Sequence, residues 1–125
     1  MNTTIALVDD HVLLRNGLAD HLKEIGYTVL FQANNGVDFI SKAKTFAIPE
    51  LVLMDINMPE MNGYDTTLWL KKNYPDVKVL ALSMYEDEIA VIRMLRNGAK
   101  GYILKDAEPA ELKAALHAVQ TKGFY

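Results

Sequence analysis

The stretch LVLMDINMPEMNGYD, residues 51–65, places four apolar residues directly before an aspartate, Asp55. A polar residue, Asn57, follows two positions later, and Pro59 and Gly63 come shortly after it. An apolar run of this length is typical of a strand buried in a parallel sheet, where a charged group needs a partner. Asp55 is therefore the first candidate for a functional residue.

Short apolar runs recur along the chain and alternate with helical patterns. The runs occupy residues 5–8, 29–31, 51–54, 77–82 and 102–104. In the first helical pattern Leu14, Leu18 and Leu22 share one face, and in the last Leu112 and Leu116 do the same. Strand and helix thus alternate five times, which predicts a parallel sheet covered by helices on both faces.

Helix starts are marked by residues that cap helices well. Asn35 and Asn62 each precede a glycine, and each is followed three residues later by an aspartate. A fourth helix is predicted over residues 86–97, and a fifth is predicted to begin at Pro109. The predicted fold is α/β: a flavodoxin-like, doubly wound sheet of five parallel strands in the order 2-1-3-4-5, with five helices.

Polar side chains follow the strands at the edge where this fold binds ligands. The first strand is followed by Asp9 and Asp10, the third by Asp55, the fourth by Ser83 and the fifth by Lys105. Neighbouring strands lie about 5 Å apart, so three carboxylates converge and repel one another. Mg²⁺, bound by carboxylates and water, would relieve that repulsion, and a phosphoryl group on a carboxylate oxygen would fit between the metal and the lysine.

Composition excludes several classes of function. The chain has 125 residues, enough for one domain, and a net charge of −3 without a basic stripe, so it is not expected to bind nucleic acid by itself. It contains no cysteine, which rules out disulfides and thiolate metal sites. We find neither a signal peptide at the N-terminus nor an apolar run of transmembrane length, so we expect a cytoplasmic protein without membrane contact.

Along essentially its whole length the chain resembles the response-regulator receiver domain of two-component systems. The resemblance rests on the acidic pair after the first strand, the block DINMPEMNGYD, the serine after VLAL, and GAKGYILK, which ends at Lys105. The segment NGAKGYILKDAEPAELKAAL is most similar to the branch that carries a C-terminal helix-turn-helix of the LuxR type.

This resemblance implies that Asp55 accepts a phosphoryl group from a sensor histidine kinase with the help of Mg²⁺. Asp10 would bind the metal directly, Asp9 would act as a second carboxylate or through water, and the backbone carbonyl of Asn57 would be a further ligand. The domain would be a switch and not an enzyme, apart from its own phosphorylation and dephosphorylation. A homodimer is the expected product of phosphorylation.

The resemblance also implies roles for residues on the fourth and fifth strands. Ser83 and Lys105 would hold the phosphoryl oxygens, and Tyr102 would turn inward when Ser83 moves toward them. The chain departs from the family after the lysine, where many receivers have a cis proline and this chain has Asp106. The sequence leaves the isomer of the Lys105–Asp106 bond open.

Each residue also has a simpler explanation. Asp9 and Asp10 could cap the first helix, and Tyr102 could be half-buried packing. His11 could be read as a metal ligand, but Mg²⁺ favours oxygen, so we expect an exposed histidine. The fourth helix has more apolar residues than one buried stripe needs, which indicates either an interface or deep burial.

Two other functions compete with the switch. A phosphatase of the haloacid-dehalogenase type would place two acids two positions apart, but here Asp55 is followed by Asn57. A nucleotide or flavin binder would be favoured by a glycine-rich phosphate loop, which we do not find. Residues 1–125 are expected to be the receiver part of a longer regulator whose DNA-binding module follows TKGFY, the alternative being a stand-alone receiver.

Overall fold

The computed structural model describes residues 2–125 and has five strands and five helices in strict alternation. The strands are β1 (Thr4–Val8), β2 (Thr28–Ala33), β3 (Leu51–Asp55), β4 (Lys78–Ser83) and β5 (Gly101–Leu104). The helices are α1 (Val12–Glu24), α2 (Gly36–Thr45), α3 (Gly63–Asn73), α4 (Glu88–Arg96) and α5 (Pro109–Lys122). Helix α4 begins later than the sequence predicts because Asp87 caps it, accepting hydrogen bonds from two backbone N–H groups.

All five strands are parallel and lie in the order β2-β1-β3-β4-β5, which confirms the predicted fold. The register pairs Val8 with Met54, and Asp55 with Leu82 on the neighbouring strand. The topology reverses between β1 and β3, and this is where open α/β sheets bind ligands. Asp55 itself is the last residue of β3 and lies at that reversal.

Alternate residues of each strand pack against helices on opposite faces of the sheet, as strand geometry requires. On one face, Val52 and Met54 of β3 pack in a core with Phe39 of α2, Leu70 of α3 and Met94 of α4. On the other face, the strands contribute Ile5, Leu7, Leu51 and Leu53 to a core with side chains of α1 and α5. Both faces of the central strands are therefore buried, which explains their uninterrupted apolar sequences.

Two asparagines cap helices as the sequence predicts. Asn35 accepts a hydrogen bond from the backbone N–H of Asp38, and Asn62 accepts one from that of Asp65. Gly63, the first residue of α3, lies so close to the end of β3 that a Cβ there would overlap the backbone carbonyl of Asp55. A glycine at this position lets α3 begin directly beneath the candidate site.

The C-terminal residues return to the sheet after α5. Gly123 adopts a left-handed conformation with φ of 91°, which ends the helix and turns the chain. The backbone N–H of Tyr125 then donates a 2.8 Å hydrogen bond to the carbonyl of Lys100, just before β5. Gly101 is buried beneath Tyr125, and a Cβ at Gly101 would overlap it.

Two further sequence questions concern the backbone and the membrane. Residues 2–125 contain no cis peptide bond, so the Lys105–Asp106 bond is trans. Within the same part of the chain, no helix combines the length and the apolar character needed to cross a membrane.

Candidate functional site

Lysine and two aspartates meet at the carboxyl edge of the sheet. The Nζ atom of Lys105 lies 3.0 Å from Oδ2 of Asp9 and 3.1 Å from Oδ1 of Asp55. All three side chains are almost completely buried, with at most 5% of the surface of each exposed. One ammonium group therefore faces two carboxylates in an environment with little water, and it cannot balance the charge of both.

Asp55 is the group most affected by this shortage of positive charge. Its burial, and next the nearby Asp9 carboxylate, raise its pKa from the ordinary 3.8 to about 7, although Lys105 acts in the opposite direction. The Oδ2 atom of Asp55 is buried and has no hydrogen-bond partner among residues 2–125. An acceptor oxygen in this state is available to bind a cation or to form a bond.

The residues present fit a divalent metal ion. Asp9, Asp10 and Asp55, which we call the acidic cluster, offer oxygens that lie within 4.8 Å of one another and of a nitrogen of His11. Asp10 is more exposed than the other two, with 36% of its side chain accessible, and forms the mouth of the site. A donor set dominated by carboxylate oxygen suits a hard cation such as Mg²⁺. Asn57, whose carbonyl is a predicted ligand, is exposed two residues after Asp55.

His11 has contacts that the sequence did not predict. Its ring is half exposed, in line with expectation, but Nδ1 lies 3.1 Å from Oδ1 of Asp9 and 3.0 Å from Nζ of Lys105. Its backbone N–H also donates a 2.8 Å hydrogen bond to Oδ1 of Asp9. Its position directly after the acidic pair was the available signal for these contacts.

Ser83 and Tyr102, the predicted switch residues, lie on neighbouring strands but in different environments. Ser83 is buried at the end of β4, and its hydroxyl donates to the backbone carbonyl of Tyr85. Tyr102 is on β5 with 40% of its surface exposed, and it borders shallow cavities with Glu86 and Ile92. The structure thus brings Ser83 to the sheet edge of the acidic cluster and leaves Tyr102 at the outer surface.

Helix α4 exposes a row of large apolar side chains. Ile89, Ile92 and Leu95 are 81%, 48% and 44% exposed, whereas Val91 and Met94 are buried. We call the exposed row, together with Tyr102 of β5, the apolar face. Deep burial was the alternative explanation of the apolar sequence, and it is wrong for these three residues. Exposed apolar surface of this kind marks interfaces.

Sequence reasoning missed Arg15 of α1. Its Nε donates a 2.9 Å hydrogen bond to the side chain of Gln32. Its Nη1 lies 2.9 Å from the carbonyl oxygen of Asp9, 3.0 Å from that of Ala33 and 2.6 Å from the side-chain oxygen of Asn34. Because two of these acceptors are backbone groups, the types of the surrounding residues offer no signal that predicts the contacts.

Comparison with known proteins decides the family. The profile described as the response regulator receiver domain matches residues 5–117. The chain belongs to the response regulator receiver domain family. This receiver domain is 38% identical over 122 residues to the transcriptional regulatory protein DegU of Brevibacillus brevis, covering 97% of this chain and 51% of DegU. It is 39% identical over 115 residues to the nitrate/nitrite response regulator protein NarL of Escherichia coli K12, covering 91% of this chain and 53% of NarL.

A solved structure supports the predicted branch. A two-component response regulator of the LuxR family from Aurantimonas sp. SI85-9A1 superimposes with a TM-score of 0.90 at 26% identity, covering 99% of this chain and 88% of that chain. The receiver domain spans about half the length of DegU and NarL. Its membership of this family favours two-component signalling over the phosphatase and nucleotide-binding alternatives.

Proposed function

We propose that this receiver domain is a phosphorylation-activated switch that accepts a phosphoryl group from the phosphohistidine of a sensor kinase onto Asp55. The observation that carries the proposal is the buried, unpartnered Oδ2 of Asp55, whose other oxygen is held by Lys105. In the transfer, the N–P bond of the donor breaks, a bond forms between phosphorus and Oδ2, and the donor imidazole takes up a proton. Asp55 must be ionised to act as the nucleophile.

Four residues would hold Mg²⁺ in this proposal: Asp9, Asp10, Asp55 and, through its backbone carbonyl, Asn57. When bound, the ion would supply positive charge that neutralises the oxygens of the transferring group. Because phosphorylation removes the charge of the Asp55 carboxylate, the ammonium group of Lys105 is free to donate to a phosphoryl oxygen. Asp55 would thus be phosphorylated and dephosphorylated, and the domain would not catalyse the turnover of other substrates.

Ser83 would convert this chemistry into a change of shape. Its hydroxyl now bonds to the carbonyl of Tyr85, and turning it toward the phosphoryl group breaks that bond. The connection between β4 and α4 is then released, and the ring of Tyr102 can move into the vacated space. A ligand shifts a two-state equilibrium only through its different affinity for the two states, and the Ser83 and Lys105 contacts would supply that difference.

The proposed output is a symmetric homodimer formed through α4, β5 and α5, which include the apolar face. Residues 1–125 would be the receiver part of a longer regulator that controls transcription through a separate DNA-binding module. Such a regulator works in the cytoplasm, the compartment of its DNA. The domain alone, with a net charge of −3, should not retain duplex DNA.

Labelling with acetyl phosphate and Mg²⁺, followed by intact mass measurement, tests the acceptor. The parent should gain one phosphate, and Asp55→Asn should gain none. Asp65→Asn is a matched control, because Asp65 is an exposed aspartate of α3 outside the site. Phosphate on the Asp55→Asn protein would disprove the assignment.

Sedimentation with and without beryllofluoride, a mimic of the phosphoryl group, tests the switch. The parent should associate only with the mimic, and Ser83→Ala should bind the mimic while associating less. Equal association of both proteins under both conditions would show that Ser83 does not couple binding of the mimic to association.

A further inference from the structure

The side chain of Arg15 is the most extensively hydrogen-bonded of those in residues 2–125, with four acceptors. All four acceptors are neutral: two backbone carbonyls and two side-chain amides. Within the same part of the chain no carboxylate lies in salt-bridge distance of Arg15. An arginine that served only as a charge on the helix surface would be expected to pair with an acid or with water. The contacts of Arg15 instead hold loops together.

The contact with Asp9 is the one that concerns the site. The backbone N–H of Asp9 donates a 3.0 Å hydrogen bond to the carbonyl of Ala33, and its carbonyl accepts one from Arg15. That carbonyl belongs to the peptide group that joins Asp9 to Asp10, so Arg15 fixes the orientation of this group. No lysine or arginine of residues 2–125 forms a salt bridge with Asp10 itself. Its Oδ1 lies 3.8 Å from Nδ1 of His11, a half-exposed ring, so the direction of its carboxylate depends mainly on its backbone.

The other end of the Arg15 network is equally well held. Asn34, which accepts from Arg15, donates its backbone N–H to the carboxylate of Asp38 at 2.9 Å. Two residues later, the backbone N–H of Gly36 donates to the carbonyl of Met61 at 3.0 Å. Met61 lies in the connection that follows Asp55. Arg15 thus joins the loop of the acidic pair to a neighbouring connection that is itself tied to the loop after β3.

We infer that Arg15 is a positioning residue for the divalent-cation site: it holds the backbone between Asp9 and Asp10 so that the Asp10 carboxylate faces those of Asp9 and Asp55. The inference rests on the proposed function, because it takes the acidic cluster to bind Mg²⁺. Groups that orient metal ligands typically change metal affinity by about 10- to 100-fold when they are removed. Arg15 acts through the backbone and does not touch the metal or the reacting atoms.

The test is a Mg²⁺ titration of the whole chain, followed by NMR at the backbone amide of His11. This amide donates to Oδ1 of Asp9 and therefore reports on the ligand loop. Arg15→Gln should weaken Mg²⁺ binding about 10-fold, and Arg15→Lys, which keeps the charge but loses the Nε donor, should weaken it less. Arg96→Gln, an exposed position on α4, is the matched control and should bind like the parent.

A second readout separates positioning from a purely structural role. At saturating Mg²⁺ the labelling rate of Arg15→Gln should return to within a few-fold of the parent rate, whereas at low Mg²⁺ it should fall far behind. A residue that only stabilised the fold would lower the melting temperature and leave the Mg²⁺ affinity of the folded protein unchanged. A folded Arg15→Gln protein with the Mg²⁺ affinity of the parent would overturn the inference.

Milder variants keep the test decisive if Arg15→Gln does not fold. Arg15→Lys and Gln32→Ala, which removes one acceptor, must then weaken Mg²⁺ binding, and parent-like affinity in both overturns the inference. If the parent itself shows no response to Mg²⁺, the proposed function fails and the inference fails with it. If the parent binds Mg²⁺ and the variants bind it equally well, the inference about Arg15 fails and the proposed function stands.

Discussion

The acidic cluster and the apolar face are built on opposite physical principles. In the cluster, the buried carboxyl groups of Asp9 and Asp55 share one ammonium group. On the face, Ile89 and Ile92 are exposed to water with much of their surface uncovered. A change of charge should have a large effect at the first region, whereas the second becomes more stable only when a partner covers it. A switch needs both kinds of region.

The largest expected effect concerns ionisation of Asp55 in Mg²⁺-free protein. Because its pKa is about 7 when folded and 3.8 ordinarily, the folded state holds a proton between these pH values that the unfolded chain has released. The free energy of unfolding should therefore fall as pH rises from about 4 to about 7 and then level off. A shift of this size corresponds to at most about 4 kcal/mol.

Urea denaturation of the parent and of Asp55→Asn over this pH range isolates the effect of Asp55 ionisation on the free energy of unfolding. The variant lacks the ionising group, so it should lack this part of the slope and be more stable than the parent at pH 8. Adding Mg²⁺ at pH 8 should recover more stability in the parent than in the variant, because the ion binds the folded state and the variant has lost one charged ligand. Parallel pH profiles for the two proteins would contradict the raised pKa.

Removal of the Lys105 ammonium group, which Asp9 and Asp55 share, should have the next largest effect on stability. Lys105→Met leaves two buried carboxylates without their partner, and loss of one member of a buried ion pair destabilises by about 3 kcal/mol or more. The loss should be greatest at pH 8 and smaller at pH 6, where Asp55 can take up a proton. Denaturation at both pH values measures it, with the exposed Lys100→Met as control. Equal losses from both lysines would show that burial of Lys105 is unimportant.

A smaller effect is expected where α3 begins beneath the cluster. Gly63→Ala places a methyl group against the backbone of Asp55 and Ile56, and overpacking of this kind destabilises by about 2 kcal/mol. Gly17→Ala is the matched change, because a Cβ in the middle of α1 would meet nothing within 4 Å. It should stabilise by about 0.5–1 kcal/mol. Thermal denaturation compares the two, and similar shifts in both would refute the close approach.

The apolar face should show the smallest effect on stability and a clear effect on association. Ile92→Gln should change the free energy of unfolding by less than about 0.5 kcal/mol, since the side chain is half exposed. The same variant should lose the association that beryllofluoride induces in the parent. Val37→Gln, a comparably exposed position on α2, should still associate. Sedimentation of the three proteins would contradict the proposed dimer surface if Ile92→Gln associates like the parent.

Much of the fold and of the cluster could be predicted because the signals are local. Alternating apolar runs and helical patterns predicted a parallel sheet covered by helices, and the length of the chain favoured the common five-stranded order. Asn35 and Asn62 were recognisable as caps from their neighbours alone. Asp55 and Lys105 could be placed at one edge because parallel strands all end there. The fourth helix could be recognised as more apolar than a single buried stripe requires.

The rest depends on contacts that residue types do not encode. His11 meets Lys105 across 94 positions of sequence, and its place after the acidic pair shows the sheet edge at which it lies but not the partner of its ring. Arg15 bonds to backbone carbonyls, which every residue possesses, so only the three-dimensional path of the loops shows its acceptors. The start of α4 depends on the cap that Asp87 forms, whereas the sequence pattern placed Asp87 inside the first turn of a helix over residues 86–97.

The return of residues 123–125 to the sheet makes this segment a natural place for a reporter. Tyr125 is fixed to Lys100 by a backbone hydrogen bond and borders the same shallow cavity as Tyr102. A dye or spin label coupled at the exposed Phe124, next to Tyr125, would therefore lie near the ring that is proposed to move. Its signal would follow the outer edge of β5 without any substitution in the acidic cluster or on α4.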